Sequence, residues 1–354
     1  DKENLASLVD AEAFPGLALR EVDGAIMLAR EGAIPGAGTW THQYGNIANT
    51  TKSDDSVVKL PLGVLWFGGS SNMDVLPRHG HGPPEQVVGG RMFIQGMTTV
   101  SARDVYTGEV LWTRQLDDLN NHGVYFDDTY KDTPTDTRYN QVHIPGANIR
   151  GTNYVATEDF VYVIQGGSCH LLDVATGETT KIISLPPVDP EARRPKSPPW
   201  GYLGIYGDLL IGGYDFVAFS DLIGQKKSEY SAFTDYDIGA SRDLHVMDRH
   251  TGELLWKIAS RHGFHNAIAV GKDTLFCIDK LPSEIEGKLR RRGEAAPEDY
   301  RLMAIDVKTG EIRWETQENV FGSFLAYSEE RDKLIQSTRP SKDMVRGEDG
   351  KRMM

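Results

Sequence analysis

Cysteine is nearly missing from this chain of 354 residues: only Cys169 and Cys277 occur, each inside an apolar, strand-like run. Two such isolated thiols argue against a disulfide framework and read as buried free cysteines. There is no Cys-x-x-Cys-His segment for haem attachment and no cysteine pair at zinc spacing, which removes covalent haem and cysteine-based zinc from the candidate chemistries. Also absent is any uninterrupted apolar run near the roughly 20 residues that span a bilayer, and the first residues lack the basic-then-apolar order of a secretory signal. Basic charge is scarce too, with 38 Lys and Arg against 51 Asp and Glu and a formal charge of −13. Such a surface repels phosphate backbones and argues against a nucleic-acid partner. The one basic run, Arg290-Arg291-Arg292, sits in the charged stretch 285–300 and reads as a solvated insertion loop.

What the chain does have is turns and aromatics: 37 glycines, 17 prolines, 6 tryptophans, 14 tyrosines and 12 phenylalanines. It also has a repeat. The pattern Ala-x-Asp-x-x-Thr-Gly-Glu-x-x-Trp occurs four times, as ARDVYTGEVLW (102–112), LLDVATGETTK (171–181), VMDRHTGELLW (246–256) and AIDVKTGEIRW (304–314). Asp, Thr, Gly and Glu keep their places in every copy, and their regularity marks a structural task, not a catalytic set. An apolar strand ends at Asp104, Asp173, Asp248 or Asp306. The chain then reverses through Gly108, Gly177, Gly252 or Gly310, where positive φ carries no steric cost. The outgoing strand carries Trp112, Trp256 or Trp314, large enough to fill the gap to a neighbouring sheet. Lys181 replaces that tryptophan in the second copy, so its contact must pack differently.

Before each hairpin stands a further pair of strand-like segments, EQVVGGRMFIQG, NYVATEDFVYVIQG, YLGIYGDLLIGG and NAIAVGKDTLFCID. Two strands plus two make a four-stranded antiparallel blade. The expected fold is an all-β propeller with clear blades near 83–119, 143–185, 199–260 and 263–317, and partial blade material at 40–69 and 320–354. Spacings above the minimum of about 40 to 50 residues per blade go into polar excursions at 117–140, 186–199, 220–237 and 281–299. Residues 1–37 lack the repeat and read as a strand pair, in one reading the end of a preceding domain, ahead of a propeller domain over 38–354.

The eleven-residue motif, the strand pairs before it and the entry segment GTWTHQYGNIANTTKS (38–53) resemble the tryptophan-docking repeats of pyrroloquinoline-quinone (PQQ) alcohol dehydrogenases and PQQ-like propellers. The resemblance covers most of 83–317. It implies a ring of more blades than are explicit here, so either the ring is small, near six blades, or the chain is a segment of something longer. It also implies an extracytoplasmic setting, periplasmic or in the cell envelope. The family's dehydrogenases pair an Asp base with calcium held by Glu, Asn and Asp, often beside an adjacent Cys-Cys disulfide. This chain has no adjacent cysteines, so no cofactor is expected, and the resemblance favours a non-catalytic scaffold for a ligand or protein partner. PQQ with Ca²⁺, oxidising an alcohol or sugar, is the alternative, and a docking portion of a larger multidomain enzyme is the third.

Residues just ahead of the innermost strand of each blade are the candidates for a ligand at the channel mouth. These are His79 and His81 in PRHGHGPP, Arg150 and Asn153 in NIRGTNY, Trp200 in PPWGY, and His262, His265 and Asn266 in SRHGFHNA. The same side chains could equally hydrogen-bond loop backbones at that face. His-x-His can place two imidazoles on one side of a strand, but no metal site is expected, since further ligands would have to come from another blade.

Overall fold

The computed structural model describes residues 2–9, 16–30, 32–68, 75, 84–96, 98–117, 119, 154–218, 239–265, 268–281, 286, 289–322 and 324–337. A helix, α1 (Lys2–Val9), precedes a hairpin of β1 (Leu17–Val22) and β2 (Ala25–Arg30). The hairpin turns through Asp23 and Gly24, both at positive φ. The strand pair was legible in the sequence and the helix was not. Among the described residues no helix is long and apolar enough to cross a membrane.

Four antiparallel meanders follow. The first is β3 (Gln86–Val88), β4 (Arg91–Gln95), β5 (Thr99–Asp104) and β6 (Val110–Gln115); the second is β7 (Tyr154–Ala156), β8 (Phe160–Gln165), β9 (Ser168–Asp173) and β10 (Thr179–Ser184). The third has longer strands, β11 (Trp200–Tyr206), β12 (Leu209–Ala218), β13 (Gly239–Asp248) and β14 (Leu254–His265). The fourth is β15 (Ala269–Gly271), β16 (Thr274–Asp279), β17 (Arg301–Asp306) and β18 (Ile312–Thr316), and a hairpin of β19 (Phe324–Ser328) and β20 (Lys333–Ser337) comes after it. These are the all-β, four-stranded blades of a propeller. Blades three and four are not separate sheets: β14 overruns its blade and pairs with β16 at Phe264 and Asp279, making one eight-stranded sheet.

Each repeat motif builds the same turn. Asp248 Oδ1 accepts the backbone N–H of His250 at 2.9 Å and of Thr251 at 2.7 Å, and the Thr251 hydroxyl at 2.9 Å. Asp104 and Asp173 do likewise. The four motif glycines have φ between 72° and 80°, and they are needed a second time for close approach. A Cβ on Gly177 would stand 2.5 Å from the Trp112 ring, and one on Gly310 2.8 Å from that of Trp256. The same indoles donate to the carbonyl of the residue after the next blade's motif aspartate, Trp112 to Val174 at 3.0 Å and Trp256 to Val307 at 2.9 Å.

Trp66, outside the motif copies, docks on the first blade in the same manner, with its ring 2.4 Å from a Cβ on Gly108 and its N–H on Val105 at 2.9 Å. At the second copy Ile183 lies over Gly252, while the Lys181 ammonium donates to the His250 carbonyl. The core therefore lies between blades. Phe93 and Trp112 meet Tyr154 and Leu172; Tyr162 and Leu171 meet Trp200 and Met247; Leu244 and Val246 meet Leu275 and Met303. Phe276 and Leu302 meet Leu325 and Tyr327 of the last hairpin.

Candidate functional site

Strand alternation sorts the connections by length. The two tight turns of every blade, between its first and second strands and between its third and fourth, fall at one end of the sheets. The four polar excursions link β6 to β7, β10 to β11, β12 to β13 and β16 to β17. All four leave and return at the opposite end, because an antiparallel meander reverses at each strand.

The inner strands of the blades are joined by the entry segment, which crosses them in chain order. Trp40 exchanges both backbone hydrogen bonds with Val87 at 2.8 Å, and the Thr41 carbonyl accepts from Ala156 at 3.3 Å. The His42 Nε2 accepts the N–H of Ile205 at 3.2 Å, while its Nδ1 lies 2.8 Å from the Thr41 hydroxyl. The Ile47 carbonyl accepts from Val270 at 3.0 Å and that of Ala48 from Tyr327 at 2.9 Å. Asn49 closes the series by donating to the carbonyls of Ile268 at 2.8 Å and Leu325 at 2.9 Å. Burial holds the His42 imidazolium far out of favour, with its pKa lowered to about 3. It is a neutral strut at physiological pH.

Two clefts flank this segment at the tight-turn end. One, of about 610 Å³, is lined by Thr39, Thr41, His42, Glu158, Asp159 and Arg249 among others. Arg249 bridges two blades there, donating to Asp159 at 2.9 Å and to the Tyr162 hydroxyl at 2.8 Å. Burial alone would raise the Asp159 carboxyl, but hydrogen bonds from Arg249 and Thr157 outweigh it and leave the group below its usual range. The other cleft, of about 510 Å³, lies between the entry segment and the turn at Glu329 and Glu330.

At the excursion end, a polar cluster occupies the join of blades three and four. Asp279, wholly buried, accepts the backbone N–H groups of Arg261 at 2.7 Å, His262 at 2.8 Å and Gly263 at 3.1 Å, and Arg301 Nε at 3.1 Å. Arg301 reaches on to the Ala259 carbonyl at 3.2 Å. The His262 imidazole is 2.7 Å from Asp299 and edge-on to the Tyr300 ring at 5.3 Å. That contact holds the exposed Asp299 carboxyl below its usual range. His265 is 3% exposed, and burial lowers its pKa to about 3. Sequence reasoning found His262 and His265 here but missed Asp279 and Arg301, whose only signal was a charged residue at the end of one apolar strand and at the start of the next.

Of the other candidates, Trp200 is fully buried between blades two and three, and its indole donates to its near neighbour Tyr202 at 2.9 Å. His79, His81, Arg150, Asn153 and Asn266 lie outside the described residues. The structure thus brings His262 and His265 to one region and sets Trp200 in the core of another. The family's cofactor can be tested against what is described. Calcium needs several converging oxygen ligands, and among the described residues no group of three or more His, Cys, Asp or Glu side chains could hold a metal ion. A stacking floor for a quinone is not offered by Trp200, whose ring is enclosed. Cys169 and Cys277 are buried in different blades.

Residues 231–344, about a third of the chain, match the family model PQQ_2, described as outer membrane protein assembly factor BamB. No curated protein matches the chain. Among solved structures, BamB from Moraxella catarrhalis is similar with a TM-score of 0.33 and 12% identity, over 68% of this chain and 52% of that one. The quinohemoprotein alcohol dehydrogenase of Comamonas testosteroni gives 0.47 and 16%, over 84% and 45%. The quinohemoprotein alcohol dehydrogenase ADHIIG of Pseudomonas putida HK5 gives 0.48 and 14%, over 84% and 44%. The chain spans about half the length of these structures. Four blades closed by the same Asp-x-x-Thr-Gly turn, tryptophans docked from blade to blade and the model match over 231–344 are consistent with a PQQ-like β-propeller family.

Proposed function

We propose that the chain is a non-catalytic propeller scaffold that binds a protein partner or small ligand through the end bearing the four long excursions. One observation carries this reading. Two buried polar side chains at the blade joins are consumed internally: Asp279 by three backbone N–H groups and Arg301, and His42 by Ile205 and Thr41. A scaffold needs a rigid base and variable loops, and loops that carry recognition sit on such frames. The matched family's description as an outer-membrane assembly factor supports a protein partner and a place outside the cytoplasm.

The test is native mass spectrometry with an absorption spectrum of the folded protein, before and after addition of PQQ and CaCl₂. The expected result is an unchanged mass and spectrum. Uptake of one quinone per chain, or dye-linked oxidation of an alcohol or sugar, would overturn the scaffold reading in favour of a quinoprotein dehydrogenase.

A further inference from the structure

β13 presents alternate residues to the blades on either side of it. Leu244 and Val246 pack against blade four, and Met247 packs against blade two. Strand periodicity therefore turns His245 to the blade-two side, where it stands opposite Gly212 of β12 and Lys257 of β14. The imidazole is 3% exposed and lies flat on the Tyr214 ring, with 4.3 Å between centroids and 13° between planes. Both ring nitrogens are buried, and among the described residues neither has a hydrogen-bond partner. His42 is also buried but differs, because its nitrogens meet Ile205 and Thr41.

The groups around it decide which form of the ring the seam holds. Blade two contributes the neutral side chains of Tyr162, Cys169, Ile183 and Leu185. Lys257 is a cation across the sheet, and Asp243 Oδ2, on the same strand, is 3.9 Å from Nε2, beyond hydrogen-bond reach. Asp215 of β12 is taken by Arg242 at 2.7 Å. Burial, with Lys257 second, lowers the His245 pKa to about 4. Burial also raises the Asp243 carboxyl above its usual range, so its countercharge fades over the same descent in pH. A charge left uncompensated in such a place is costly. We propose that the seam between blades two and three is an acid-released latch, closed around neutral His245 and opened when the imidazole takes up a proton. The folded value lies below the unfolded one of about 6.5, so the latch is whole above that pH and is lost as pH falls from there toward 4.

The two thiols report the seams separately, since Cys169 is buried between blades two and three and Cys277 between blades three and four. Labelling of the full chain with dithiodipyridine, located by mass spectrometry and corrected for thiol reactivity in the unfolded chain at each pH, reads their exposure. Between pH 7 and pH 4.5 the corrected rate at Cys169 should rise about tenfold or more, with far less change at Cys277. His245→Phe keeps a stacked ring that cannot be charged, and it should abolish the rise. No rise in the unsubstituted chain, an equal rise at both thiols, or a rise that survives His245→Phe overturns the latch. Should His245→Phe fail to fold, Lys257→Met decides: loss of the exposed cation should move the rise to higher pH, and an unmoved rise overturns the proposal.

Discussion

The indole docks make a prediction whose size can be worked from the structure. Trp112 is 8% exposed, tilts against Phe93 at 6.0 Å, lies over Gly177 and donates to the Val174 carbonyl. Trp112→Ala removes a buried aromatic at a blade junction that cannot collapse without moving a whole sheet, which costs about 3–5 kcal/mol. Trp112→Phe keeps most of the ring area but leaves the Val174 carbonyl without its donor, about 1–2 kcal/mol. Trp314→Ala is the control: at 43% exposure it loses roughly half the burial and should cost about 1–2 kcal/mol. Guanidinium titrations followed by circular dichroism, with melting temperatures alongside, rank the three. The order Trp112→Ala, then Trp112→Phe and Trp314→Ala together, is expected. A Trp112→Ala protein as stable as Trp314→Ala would refute the claim that docking joins the blades, and blade-wise transitions at different denaturant would show the junctions to be weaker than the blades.

Two further outcomes follow from the same turns. Lys181→Trp should raise the melting temperature, by an amount equivalent to about 1 kcal/mol, because it supplies the indole that Gly252 lacks; a lower value would mean that Ile183 already fills the space. Asp306 is held down to about 2, chiefly by its hydrogen bond from Arg313 and then by the Thr309 N–H. Its folded value lies below its unfolded one near 4, so its stabilisation is present above pH 4 and is lost as pH falls from 4 toward 2. Asp306→Asn should therefore flatten the fall of melting temperature across that window, and an unchanged slope would place the acid sensitivity elsewhere.

The blades were legible because each is a local pattern: two apolar runs, then an aspartate, a threonine and a glycine at fixed spacing. The innermost strands of blades one, two and four are three residues long, and β14 runs on to His265, past the expected end of blade three at 260. The helix at Lys2–Val9 was missed because it is only eight residues long. Trp66 was missed because it lies in an irregular segment without the turn that announces the others, and its role appears only where its ring meets Gly108. In the structure the aspartate carboxylate closes the turn, and the glutamate contributes its backbone carbonyl, as from Glu109 to the Asp104 N–H at 2.9 Å.

Taken alone, the sequence determined the class of fold, the number of explicit blades and the positions of their turns, because hydrophobic alternation and turn chemistry act within a few residues. It also determined that the second junction had to differ, since Lys181 cannot fill an indole's place. Tertiary structure alone decided that the entry segment runs across the inner strands of successive blades and that β14 overruns into blade four. It likewise decided that Asp279 gathers the backbone of residues 261–263. Those contacts join residues as far as 276 positions apart, and no local preference encodes which distant carbonyl will be left facing a given donor once the sheets have packed.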